Sequence, residues 1–271
     1  MADLYINGSS FASGWGKGYE DIKGITPLDS WTKYFQQHIQ PDNTWIDAIP
    51  GKSIGMTARD TVKFCKHYKE KYGTLDTLNV VLEFTTPRYR HWDELNTVDG
   101  KTAYPVAHLS RTNIRETIHY FIRREFNEHD LAHNDTVVND EEIVPEELNQ
   151  WKKQVDAWYF GKQPPGFYMN YAVEEISAAQ QYLNDNNVNY VMWWCAGRSK
   201  MVSALIERYT RVLYRDAKMI KPSAMSGHAV VENISDEDYS GHPDAKGHKY
   251  IADFLIKHIN ENNLFGRNNN G

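Results

Sequence analysis

Apolar and polar positions alternate in a helix–strand rhythm at both ends of the chain and lose it in the middle. Asp3 to Asn7 is a short run rich in Leu, Tyr and Ile that ends at Gly8, and it reads as a strand. Asp29 or Ser30 is placed to cap a helix through His38 whose Trp31, Tyr34 and Phe35 share one face. Trp45 to Ile49 is a second strand, stopped by Pro50-Gly51. Thr57 then offers an N-cap to a helix through Tyr72, with Val62, Cys65 and Tyr68 three apart and Gly73 closing it. Leu78 to Phe84 and Val188 to Trp194 are near-continuous apolar runs, as expected of strands covered on both faces. A helix from Tyr168 to Leu183 leads into the second of these. The last helix runs from about Pro243 to His258, with Tyr250 and Phe254, and Ile251 and Leu255, four apart on one side.

Strands alternating with helices imply parallel βαβ units. The expected fold is therefore one α/β domain, a three-layer sandwich around a parallel sheet of about five strands. Residues 97–165 break the rhythm: they are polar, rich in His and Glu, and mainly helical, with candidate helices Asn113 to Phe126 and Glu146 to Phe160. An ordinary βα connection needs only ~2–6 residues, so this stretch reads as a helical insertion or cap within the domain. Trp151, Trp158, Tyr159, Phe160, Phe167 and Tyr168 gather around Pro164-Pro165. Such rings pack a cap, bind sugar rings, or line an oligomer interface.

Composition narrows the function classes. A hydrophobic share of 41% over 271 residues is enough for one sizeable core. A formal net charge of -6 repels phosphate backbones, so nucleic acid is not an expected partner. No apolar run approaches the ~20 residues of a membrane helix, so no membrane partner is expected. The first residues carry neither a basic nor an apolar leader segment, and no secretory signal is expected. Cys65 and Cys195 then read as two reduced, buried thiols.

Two local patterns carry candidate chemistry. Asn7-Gly8-Ser9-Ser10-Phe11-Ala12-Ser13-Gly14 comes directly after the first strand. A nucleophilic serine needs an exposed turn, a base within reach and backbone N–H groups for the oxyanion, and a strand-end Gly followed by serines supplies the turn. The same serines also fit plain turn and cap roles. Near the other end, Ser240-Gly241-His242-Pro243-Asp244-Ala245-Lys246-Gly247-His248 places His242 just before a helix that Pro243 can start. The start of a helix tends to keep an imidazole neutral, as a general base must be. A loop histidine without a role is the plainer alternative.

Together these blocks resemble the SGNH (GDSL-like) hydrolase family, particularly the versions found in tailed-phage genomes. Gly8, Ser9, Ser10, Phe11 and Gly14 fill the places of the family's first block, with Ser9 where the family has Asp. His242-Pro243 and Gly247 to Ala252 match its last block. The resemblance implies an ester hydrolase with Ser10 as nucleophile and His242 as base, needing no cofactor or metal. It further implies a small-molecule or carbohydrate ester as substrate, and a place in the host cytoplasm or the virion. The family's acid falls at Tyr239, so Asp238 is the candidate to orient His242, the alternative being a backbone carbonyl. Gly51 is the first match to the oxyanion glycine and Gly55 the second. Thr86 falls where the family has an oxyanion Asn, and Arg88 offers a charged substitute.

Two rival readings remain open. The departures at Tyr239 and Thr86 fit a non-catalytic member of the fold that binds virion proteins or copies of itself. His129-Asp130-Leu131-Ala132-His133 has the two-histidine spacing of a zinc helix and would fit a metal-dependent hydrolase.

Overall fold

Every residue of β1 (Asp3–Gly8) and β3 (Leu78–Phe84) is buried, which is why β3 reads as a near-continuous apolar run. They are the central strands of a parallel sheet of order β2-β1-β3-β4, with β2 at Thr44–Ala48 and β4 at Asn189–Trp194. The computed structural model describes residues 2–13, 30–48, 52, 54–85, 167–195, 200–235 and 242–265. The chain divides into two compact units, Met1–Glu94 with Ala172–Gly271 and Leu95–Tyr171, and the sheet belongs wholly to the first. The candidate insertion 97–165 lies outside the described residues.

Among the described residues four strands form the sheet, where about five were expected. The fifth position is only sketched. Lys218 and Ile220 exchange backbone hydrogen bonds with Met192 at 2.7 and 2.8 Å, and Trp194 bridges to Ser226. Single ladder contacts of this kind leave no alternation in the sequence to read.

The pleat sends successive residues to opposite faces. Leu4, Ile6, Val81, Val191 and Trp193 join a core with Trp31 and Phe35 of α1 (Trp31–Ile39) and Ile251, Leu255 and Ile259 of the last helix. On the other face Tyr5 stacks on Phe64 of α2 (Ile54–Tyr72), ring centroids 3.9 Å apart, and Tyr68 of α2 donates to Asp3 Oδ2 at 2.6 Å. α3 (Phe167–Asp185) lies beside α2, joined by Arg59 to Glu175 at 2.8 Å. The expected three-layer α/β arrangement is what the chain adopts.

Element ends moved for local reasons. α2 begins at Ile54, so Thr57 is a buried residue of its first turn and not its cap. Two short helices, α4 (Lys200–Tyr209) and α5 (Gly227–Asn233), had no expectation attached. The last helix, α6 (Ala245–Asn262), starts after Asp244, whose carboxylate accepts from Gly247 N at 2.8 Å. Asp244 is thus the N-cap and Pro243 lies outside the helix. Ile251 and Leu255 are buried as expected, but Tyr250 is 40% exposed and does not share their side. Cys65 and Cys195 are both buried free thiols, and burial pushes the Cys65 thiol up to about 12.

Candidate active site

In parallel α/β sheets, ligands bind beyond the carboxyl ends of the strands. The first turn past β1 stands at that edge. Ser13 N–H bonds back to Ser9 O at 3.0 Å, so the chain turns helically at once after Gly8. Gly8 is required there: a Cβ on it would lie 2.8 Å from Glu83 Cβ and 2.9 Å from Ala12 Cβ. Without that clearance the turn could not settle onto β3.

The two serines of the turn have different surroundings. Ser9 is fully buried, and its Oγ and N–H both donate to Glu83 Oε1, at 2.6 and 3.0 Å. A hydroxyl so engaged and enclosed cannot reach a substrate. Ser10 is only part-buried, and its Oγ lies 2.9 Å from His242 Nε2, across 232 residues of sequence. With the proton on Nδ1, Nε2 accepts from the Ser10 hydroxyl, the arrangement a general base needs. Ser10 and His242, proposed from opposite ends of the sequence, thus meet at hydrogen-bond distance.

The chain matches no protein-family model and no curated protein. Among solved structures it is similar to the psychrotrophic esterase EstA from Pseudoalteromonas sp., at 12% identity over 96% of this chain and 98% of that one, with a TM-score of 0.43. A member of the lipolytic protein G-D-S-L family from Veillonella parvula aligns at 8% identity over 95% and 97%, with a TM-score of 0.41. A carbohydrate acetylesterase family member from Sinorhizobium meliloti aligns at 11% identity over 98% and 100%, also with a TM-score of 0.41.

The start of α6 anchors the chain next to His242. Asp244 caps the helix, and its backbone N–H donates to Ser235 Oγ at 3.3 Å. Gly247 lets the segment fold back on the helix, because a Cβ there would collide with Ser235 Oγ and lie 2.9 Å from Pro243 Cβ. His248 is fully buried, and its Nδ1 accepts from Trp31 N–H at 3.2 Å. Burial, and then the neighbouring His242, push its pKa down to about 4 against the pull of Asp244. His248 is therefore a neutral core imidazole, with surroundings unlike those of His242.

Phe11 completes this corner. Its ring packs 5.2 Å from His242 and 5.4 Å from His228, and Gly227 makes room, since a Cβ there would lie 2.6 Å from Phe11 Cε1. Sequence reasoning missed both Gly227 and Glu83. Glu83 was visible in principle: it is the one acid in the buried apolar strand β3, and a buried carboxylate needs partners. Those partners are Ser9 N–H and Oγ–H, Trp31 Nε1–H at 2.9 Å, and the backbone of Ala12. Burial raises its pKa while these hydrogen bonds oppose the rise.

Of the other candidates, Gly55 is the second residue of α2. Gly51, Thr86, Arg88, Asp238, Tyr239, His129 and His133 lie outside the described residues. Thr85 Oγ1 donates to Lys52 O at 3.4 Å, joining the end of β3 to the segment after β2. Lys52 Nζ is buried against Asp47 and Asp60, at 3.0 Å from each. Among the described residues no helix is long and apolar enough to cross a membrane.

Proposed function

We propose that the chain is a serine ester hydrolase that removes an acyl group, such as O-acetyl, from a carbohydrate. The observation that carries the reading is the 2.9 Å contact between Ser10 Oγ and His242 Nε2, beside a Ser9 that is locked away. Ser10 Oγ attacks the ester carbonyl while His242 Nε2 takes its proton. The backbone N–H groups of Ser10 and Gly51 hold the oxyanion, with Thr86 or Arg88 contributing from beyond β3. His242 then returns the proton to the leaving alcohol, and an acyl-Ser10 ester remains. Water, deprotonated by the same imidazole, releases the acid. Asp238 orients His242 from the segment before it.

The direct test is labelling with a fluorophosphonate and then peptide mapping. Label on Ser10, absent from Ser10→Ala, supports the reading, whereas label on Ser9 or none at all rejects it. Hydrolysis of p-nitrophenyl acetate should survive EDTA. Loss with EDTA and recovery with zinc would favour His129 and His133 instead. A kcat/KM for acetate release from acetylated xylooligosaccharides well above that for an unactivated alkyl acetate would support the carbohydrate assignment, and equal values would count against it.

A further inference from the structure

Glu83 is costly where it stands. It is fully buried, and its hydrogen-bond partners among the described residues are neutral donors, not a lysine or arginine. An apolar residue in the same place would spare the desolvation of a carboxylate. A carboxylate, however, only accepts, and four donors converge on this one: Ser9 N–H, Ser9 Oγ–H, Ala12 N–H and the Trp31 indole. The contact from Ser9 Oγ is short, at 2.6 Å.

The placing of these donors matters more than their number. A single oxygen, Oε1, grips both the backbone and the side chain of Ser9, the residue before the nucleophile. That fixes the peptide from which Ser10 projects. The other oxygen, Oε2, takes the Trp31 indole, and the backbone N–H of the same Trp31 donates to His248 on α6. A continuous path therefore runs from Ser9 through Glu83, Trp31 and His248 to the helix just after His242. Gly8 gives the clearance for the turn to reach Glu83.

We infer that Glu83 is a positioning residue, whose buried carboxylate fixes the turn after β1 so that Ser10 Oγ meets His242 Nε2. The inference rests on Ser10 being the nucleophile. It predicts that the acceptor-only character of the side chain matters, not its size. In Glu83→Gln the amide oxygen can still serve Ser9, but the amide NH2 then faces the Trp31 N–H, donor against donor.

The experiment combines kinetics with a crystal structure of the Glu83→Gln variant. A misplacement of about 1 Å can cost about 10²-fold in rate. A fall in kcat of that order is expected, with KM within about twofold and the rate of fluorophosphonate labelling reduced in step. In the crystal, Ser10 Oγ should lie beyond about 3.5 Å from His242 Nε2. A purely structural Glu83 would lower the melting temperature but leave kcat per folded molecule, the labelling rate and the 2.9 Å contact unchanged, and that result overturns the inference. Should Glu83→Gln not fold, Ser9→Ala removes one of the bonds and carries the same decision, with about a tenfold loss expected. If the wild-type protein takes no label, the hydrolase reading falls, and the separation of Ser10 from His242 in the variant still decides the role of Glu83.

Discussion

On the α2 face of β1, Lys52 lies 3.0 Å from both Asp47 and Asp60, and the Tyr5 hydroxyl donates to Asp47 at 3.1 Å. Asn7 closes the group by donating to Tyr5 Oη, Thr57 O and Thr61 Oγ1. Burial pushes the Tyr5 phenol up, with Asp47 adding to it, so it remains a neutral donor. On the opposite face, Glu83 has no such counter-charge among the described residues and is held there by N–H and O–H groups. Both clusters sit beside the C-terminal end of β1, yet they solve different problems. Paired charges neutralise each other and hold a connection in place. A lone carboxylate ringed by donors dictates where each donor points, and one of those donors is the residue before Ser10.

The largest effect that this contrast predicts is on turnover. Ser10→Ala should reduce hydrolysis of p-nitrophenyl acetate by about 10³-fold or more, measured on folded protein. A comparable loss in Lys52→Met would erase the distinction between the two clusters. Next comes pH. The folded pKa of His248, about 4, lies below its ordinary value of 6.5. Between those values the unfolded chain holds the extra proton, so stability falls as pH drops from 6.5 towards 4, by up to about 3 kcal/mol. Glu83 acts in the opposite sense. Its folded pKa is raised, so the folded state holds the extra proton and stability is lost as pH rises through the shifted range. Urea midpoints of wild type and His248→Gln across this range separate the two, the variant showing the smaller acid loss.

Lys52→Met should then cost about 2 kcal/mol, read from urea unfolding, because Asp47 and Asp60 lose their shared cation while retaining some contact with water. A pair of glycines sets a comparable effect against the smallest one. Gly8→Ala presses a methyl against Glu83 Cβ and should destabilise by about 1–3 kcal/mol. Gly55→Ala on the other face meets only the far end of the Arg59 side chain, at 3.0 Å, and should stay within about 0.5 kcal/mol by thermal melting. Equal shifts would mean that the Glu83 side is no more tightly fitted than the Lys52 side.

Much of this was legible because the deciding signals are local. β1, β3 and β4 announce themselves by apolar runs, since their residues are almost all buried. Ser10 and His242 stand out through their neighbours, a strand-end Gly and a Pro at the approach to a helix. The Pro misled slightly, because Asp244 offers its carboxylate to Gly247 N and so takes the capping role. The cluster around Glu83 was hidden for the opposite reason, although the acid itself stands out in an apolar strand. Its donors come from residues 9, 12 and 31, remote in sequence and none of them charged, so no charge pattern betrays the cluster. The sketched fifth strand was equally silent, being made of isolated backbone bonds at 218 and 220.

The 232-residue separation of Ser10 from His242 also has a consequence for synthesis. Chains emerge from the ribosome N-terminus first, and domains fold as they become available. Ser10 is made early and its turn can close once β3 supplies Glu83. His242 arrives only with the segment leading into α6, whose docking against α1 completes the core. In the proposed reading, a nascent chain carries Ser10 without its imidazole partner until the residues of α6 have been made and seated.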